Sequence, residues 1–506
     1  MRFHLLLPLL LYSLFSFAQE NNLIKRIDWS KKHNISEDFR LMDVIHHKEG
    51  IYTVREGIYS VREGKKGTPL FIGSYNRTMD AKTEVGFDPT ARGINWSYEG
   101  TFWMNNQFHL FSSFYDNKAS KNILYRQSID KERDNLQLGV LKEVTNFTVK
   151  NKHDLGEFEL LKSASGNLLL SCSKIPNRSD NIVLQLRLFD QQFDEKEHKN
   201  IVLPFTQEQM EVMEKHIDEA GNFYILGRIY QKGRVDRRNG TPNYEYVLVI
   251  YKNQATQALT YHLNVDDYLL TDLKFNVLKN NEVILAGLIS DAGNAKTNGI
   301  CYFKVDLQNT ALQIKKKSLF QTQPISLAAA QTTSSEEIKI PRYLKIDHLF
   351  SRSDGGSLMI AERSFQVSKY TYQDDDILVV NINPDGTIDW VSQIPKKQSS
   401  YYTEDVILSY FPFIVEDKIY LIYNDDGRNF SYTKNRKRVQ RHKTLKGYAA
   451  LTEIQRDGTW RTYPLSDNSI EDLVIHPQSC KQIGRKTILI YEAFRNTYRF
   501  GKLELK

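Results

Sequence analysis

An all-β fold made of repeated four-stranded antiparallel units is what the sequence predicts, and three observations carry that prediction. No long amphipathic helical period is present, whereas short runs of β-branched and aromatic residues bounded by Gly, Asn and Asp recur along the chain. One element, a turn pair followed by four or five apolar residues and then small or polar ones, occurs eight times at separations of roughly 55 to 75 residues. Its copies are EGIYTVRE (49–56), NQFHLFSS (106–113), GNLLLSCS (166–173), GNFYILGR (221–228), NEVILAGL (281–288), GSLMIAER (356–363), DKIYLIYN (417–424) and KTILIYEA (486–493). Around the clearest copy, MEVMEKHID alternates, NFYILGR is continuously apolar, EYVLVIYK follows a loop and ALTYHLNV alternates again, which makes a four-strand meander.

Such a period, with several strands per unit and no helices between them, predicts a β-propeller. Continuously apolar second strands suit sheets covered on both faces, and the small residues Ala286 and Gly287 let neighbouring sheets approach. The turns NPDG (383–386) and QRDG (455–458) suit hairpins between third and fourth strands. Eight blades are expected, with seven as the alternative if one hairpin is misread. The last unit ends one strand after its core run, and LIKRIDWSKK (23–32) resembles the fourth strand GTIDWVSQIPKK (386–397). The N-terminal segment is therefore expected to complete the last blade and close the ring.

The chain opens with MRFHLLLPLLLYSLFSFAQE, an Arg, an apolar run and small residues at Ser16 and Ala18, the layout of a cleavable export signal over residues 1–18. Residues 19–506 are then one propeller domain, exported to the periplasm or the extracellular space of a bacterium, and no later run approaches the roughly 20 apolar residues of a spanning helix. Cys172, Cys301 and Cys480 are odd in number and far apart, so they read as buried small hydrophobes, although one pair could bond. The Ser/Thr/Gln/Ala-rich piece at 321–337 reads as a flexible connector between the fifth and sixth units.

The blade pattern resembles that of secreted bacterial β-propeller proteins over nearly all of the exported length. The resemblance is architectural. DGTIDW, with Gly386 and Trp390, is similar to the tryptophan motif of quinoprotein blades but stands as a single good copy, and neither a WD series nor a sialidase-type Asp box is present. Propellers host binders, scaffolds and enzymes, so function has to be read from sites.

The loops between second and third strands carry the long insertions. GIYTVRE and GIYSVRE (50–63) stand in tandem; glycines at 50, 57 and 64 argue against a helix, and a seven-residue repeat would reverse faces within one strand. The second copy reads as an extension of that loop. Further insertions are QKGRVDRRNGTPN in the fourth unit, SFQVSKYTYQDDD in the sixth and a long basic loop in the seventh.

That basic loop, read as a hairpin over 428–446, holds Arg428, Lys434, Arg436, Lys437, Arg438, Arg441, Lys443 and Lys446 without an acid, against a net charge of +7 for the whole chain. With Phe430 and Tyr432 as stacking groups it is the candidate interaction site. Its field suits an envelope protein with an acidic surface, or an anionic glycan or lipid surface, and export disfavours nucleic acid. A merely solvated charged tip is the competing reading. Asp374, Asp375 and Asp376 of the sixth unit, with Asp425 and Asp426 of the seventh, could converge to bind Ca²⁺ or to form a hydrolytic carboxylate pair. His46, His47, His109, His216 and His348 fall in strands without ligand spacing, so no catalytic, cofactor or metal residue is assigned. The expectation is a non-catalytic binding or scaffolding propeller that uses its second-to-third loop face; the alternative is a carbohydrate-active enzyme or glycan binder, with Tyr370, Tyr372 and Tyr432 as sugar platforms.

Overall fold

The computed structural model describes residues 23–34, 39–48, 50–57, 70–87, 96–132, 135–149, 155–175, 181–238, 241–255, 257–265, 267–291, 296–320, 325–326, 340, 343–401, 405–430 and 439–506. Eight antiparallel blades form a ring, and each of the eight apolar runs is the second strand of its blade. Blade six runs Leu344–Ser351, Ser357–Ser368, Thr371–Ile382, Ile388–Lys397, and blade seven Tyr410–Val415, Lys418–Asp425, Tyr448–Ile454, Trp460–Asp467. In blade two the fourth position is shared by two short strands, Asn135–Leu138 and Lys142–Thr148, both paired to Lys121–Glu132.

Among the described residues the core divides into eight apolar clusters, one at each junction between neighbouring blades, including that between blades eight and one. The ring is thus held by sheet-on-sheet burial at every joint. Closure follows the sequence expectation: Ile24–Trp29 pairs antiparallel with Thr497–Leu505 as the fourth strand of blade eight. Trp29 lies against Gly501, where a Cβ would come within 2.5 Å of the indole, and the Arg499 guanidinium sits 3.9 Å from the indole centre. A hydrogen bond of 2.6 Å between the Tyr75 and Tyr498 hydroxyls ties blade one to blade eight.

A second device, which periodicity does not reveal, runs around the innermost strands. In blades one, two, four, five and six the first strand carries a β-bulge, and at or beside each bulge stands an acid: Asp43, Glu99, Glu214, Asp272 and Asp347. A bulge re-aims one side chain out of the pleat. Asp272 accepts 2.6 Å from the Ile346 amide of the next blade, Asp347 accepts 3.0 Å from the Tyr410 hydroxyl, Glu214 pairs with Lys274 at 3.4 Å, and Asp43 pairs with Lys481 at 3.7 Å. Glu159 of blade three pairs likewise with Lys215 of blade four. Burial raises the pKa of all five bulge acids, Asp347 to about 6.

The turn glycines serve the same joints. Gly386 (φ +84°) and Gly458 (φ +81°) end their turns in the left-handed region. Gly458 also lies under Trp390, whose indole N–H donates 2.8 Å to the Arg456 carbonyl. The DGTIDW tryptophan is therefore an inter-blade packing group.

The three cysteines are buried free thiols, and burial pushes those of Cys172 and Cys480 up to about 12. Part of the expected connector is ordered into the sheet: Ile325–Ser326 pairs parallel with Val391 and Ser392 of blade six. The expected export signal (1–18), the rest of 321–337, and residues 58–63 of the tandem repeat lie outside the described residues. No helix among the described residues is long and apolar enough to cross a membrane.

Candidate interaction face at the junction of blades six and seven

Antiparallel meanders send every second-to-third loop out of the same face of the ring, together with the starts of first strands and the ends of fourth strands. On this insertion face blade six extends its second and third strands into a long hairpin, with Ser400–Tyr401 added along Thr371 and Tyr372. Val367, Tyr370 and Tyr372 are exposed on it, as is Tyr343 at the start of the blade. Lys369 lies 5.2 Å from the Tyr370 ring, and Arg363 lies 4.6 Å from Phe365.

Beside this hairpin stands the basic loop of blade seven. Its described ends are short 3-10 turns, Gly427–Asn429 and Thr444–Lys446. Asn429 bridges the two legs, donating 2.8 Å to the Gln440 carbonyl and accepting 2.8 Å from the Gln440 amide. Arg428 is locked bidentate on Asp426 at 2.7 and 2.8 Å, which holds that carboxyl below its usual range. Phe430 is half-buried against the core shared by blades six and seven and edge-on to Tyr448 at 5.5 Å, so it anchors the loop. Arg441, Lys443 and Lys446 are exposed. Tyr432, Lys434, Arg436, Lys437 and Arg438 lie outside the described residues.

Beneath the loop a buried polar network joins the segments of blades six and seven that carry the five aspartates, each of which is held separately within its own blade. Lys396, 1% exposed, forms an ion pair with Glu362, 2% exposed, and donates 2.7 Å to Gln398 Oε1 and 3.2 Å to the Asp374 carbonyl. Gln398 continues across the joint, donating 2.8 Å to the Asn424 carbonyl, and Asn424 donates 2.8 Å to the carbonyls of Ile407 and Ile475. Asp375 pairs with Arg363 at 3.2 Å, Asp376 accepts 3.2 Å from Gln393, and Asp425 accepts 2.7 Å from Asn429. His442 is buried, and its amide donates 2.9 Å to the Lys397 carbonyl of blade six. Burial pushes Asp425 up to about 7 and His442 down to about 4; it also drives Glu362 upward against the opposing Lys396 ammonium.

The network stitches two blades together and mounts the basic loop on them. Among the described residues no group of three His, Cys, Asp or Glu side chains is placed to hold a metal ion. Three of the five histidines singled out in the sequence are packing rings here: His47 stacks on Trp103 at 3.7 Å, His109 meets Phe193 edge-on at 4.5 Å, and His348 stacks with Phe350 at 5.6 Å.

The charge of Asp425 gives a test. Its folded pKa of about 7 exceeds the unfolded value of about 4, so its contribution is complete below pH 4 and is lost as pH rises through 7. Asp425→Asn keeps an oxygen for Asn429 and the Asp426 amide. The variant is expected to match wild type near pH 4 and to exceed it progressively, by up to about 1.4 kcal/mol per pH unit, between pH 4 and 7. His442 works in the opposite sense in both proteins, its neutral form being required as pH falls from about 6.5 to 4, and it cancels from the comparison. Urea midpoints across pH 4–8 measure the difference.

The fold and site define the chain as an eight-bladed propeller with an elaborated joint between blades six and seven. No protein-family model matches it, and no curated protein matches it. Solved structures similar to it include a puromycin hydrolase S511A mutant (TM-score 0.34, 10% identity, 76% of this chain and 50% of that one). Others are the Penicillium chrysogenum alpha-L-arabinanase with arabinobiose (0.33, 7%, 72% and 99%) and the Pyrococcus horikoshii acylaminoacyl peptidase (0.35, 8%, 90% and 58%). The chain spans about half the length of the puromycin hydrolase. These likenesses are too distant to assign a substrate or a reaction.

Proposed function

We propose that this protein is an exported, non-catalytic binding or scaffolding propeller whose insertion face at blades six and seven holds an anionic, partly apolar component of the cell envelope. One observation carries the reading: exposed cations (Arg441, Lys443, Lys446) and exposed aromatics (Tyr343, Tyr370, Tyr372) share one face, on loops fixed by a buried network. Tyrosines contribute large contact area at low entropic cost, and cations steer an anionic partner and fix its register. Fixing the loop ends beforehand lowers the ordering cost of binding.

The alternative, a carbohydrate-active enzyme with or without Ca²⁺, draws on Asp374 and Asp425, which stand on the adjoining blades six and seven. It stands second because Asp374 and Asp425 are both buried and the Asp425 carboxylate is committed to Asn429 and the Asp426 amide, whereas hydrolysis needs acids open to substrate.

The test is co-sedimentation of the purified protein with its native envelope fraction, beside an Arg441→Glu/Lys443→Glu/Lys446→Glu variant. These three side chains are exposed, so the anchors at Phe430, Asn429 and His442 stay intact. Wild-type retention is expected to fall steeply between low and physiological salt, and the variant to be lost at every salt concentration. Retention that ignores both salt and the charge reversal would refute the reading.

A further inference from the structure

On the opposite face, where first-to-second and third-to-fourth turns emerge, a cleft of about 420 Å³ opens between blades six and seven. Its apolar lining, Phe350, Leu358, Trp390, Ile414 and Ile419, is continuous with the core those blades share. That volume lies within the range of small-molecule sites, about 300–1,000 Å³.

The charges around it do not cancel. Arg352 is paired with Asp354 and donates 2.6 Å to Asn381 Oδ1, and Arg456 is paired with Asp417 at 2.7 Å. The third acid of the lining, Asp389, accepts 2.9 Å from the Asn381 amide and has no cationic partner among the described residues. The Arg352–Asn381–Asp389 chain fixes this carboxylate at the cleft wall, next in sequence to Trp390. The Trp390 N–H is already committed to the Arg456 carbonyl, so the indole lines the cleft as an aromatic surface with no free donor.

We propose that this cleft binds a small organic cation: an amine whose ammonium meets Asp389 and whose apolar body lies against Trp390, Phe350 and the aliphatic lining. A carboxylate supplies the charge-assisted hydrogen bond, and aromatic rings attract cations through their quadrupole. An anionic ligand would find both guanidinium groups already neutralised. This site is independent of the insertion face, so either assignment stands if the other fails.

Isothermal titration of the full-length protein at low ionic strength with 2-phenylethylamine, 2-phenylethanol and 3-phenylpropionate tests the assignment. The amine is expected to bind saturably at one site per chain, the alcohol more weakly and the carboxylate not at all. Asp389→Asn, at an exposed position, is expected to keep the wild-type unfolding midpoint while weakening the amine at least about tenfold. Ser353→Trp, in the exposed turn lining the cleft, is expected to abolish binding by filling it. Absence of saturable amine binding, equal affinity for the carboxylate, or amine binding indifferent to both substitutions would overturn the proposal.

Discussion

Replacement of Lys396 by methionine is expected to cost about 3–5 kcal/mol, the range for removing one partner from a buried ion pair. The substitution leaves Glu362 enclosed without its cation, and the Asp374 carbonyl and Gln398 lose a donor between blades six and seven. The Lys396→Met/Glu362→Leu double variant is expected to recover more than half of the loss, because two apolar side chains leave no uncompensated charge. The single variant's deficit is also expected to widen above about pH 8. Burial raises Glu362 to about 8 beside Lys396, and loss of Lys396 raises it further, so below that pH the group is protonated in both folded proteins and the deficit is steady, whereas above it only the wild type gains the charged pair. Urea denaturation at pH 7 and pH 9 reads both effects. A deficit under about 1 kcal/mol at both, the scale of an exposed pair, would mean that this joint does not depend on its polar network.

The second large effect concerns closure. A chain beginning after Asn34 is expected to lose on the order of 5 kcal/mol through the part-buried Leu23, Ile24, Ile27 and Trp29. It would leave Thr497–Leu505 as an unpaired edge next to the blade-eight core, an edge prone to intermolecular pairing. Size-exclusion chromatography and limited proteolysis are expected to show self-association and cleavage in blade eight, with a synthetic 23–34 peptide restoring the monomer. Gly501→Val is expected to reproduce part of the defect by driving the Trp29 indole off the strand. A monomeric truncated chain that melts with the full-length protein would contradict closure by this strand.

What the sequence made legible was whatever carries a local signal. The second strands show as continuous apolar runs because both of their faces are covered by neighbouring blades, and the clasp shows because Leu23–Lys32 is written like a fourth strand. The split fourth strand of blade two, Asn135–Leu138 and Lys142–Thr148, is set by tertiary pairing to one long partner and has no such signal. At the site, the aspartates were visible as sequence-local clusters, but their partners were not. Glu362 and Lys396 sit in strands where a charge reads as solvent-facing. Register shifts between Glu362 and Ser364, and between Asp375 and Ile377, displace the alternation and leave Glu362 and Asp375 buried. The same applies to the innermost strands, where Asp272 and Asp347 clasp the next blade from bulged positions that an even alternation cannot place.

The basic loop shows how the two kinds of information combine. Its charge is a property of sequence alone. The division of its described residues into anchors (Arg428, Asn429, Phe430, His442) and free cations (Arg441, Lys443, Lys446) is a property of the fold. Only the second group can be reversed in charge without loosening the joint.

The claim that the insertion face at blades six and seven is the working surface is tested most directly by site-specific photo-crosslinking in the native cell. A photoreactive residue is placed at Lys443, at Tyr370, and at Asp457 in an exposed turn of the opposite face. The account predicts the same envelope adduct from positions 443 and 370, lost in the charge-reversed variant, and none from 457. Adducts from 457 with none from 443 or 370 would contradict it.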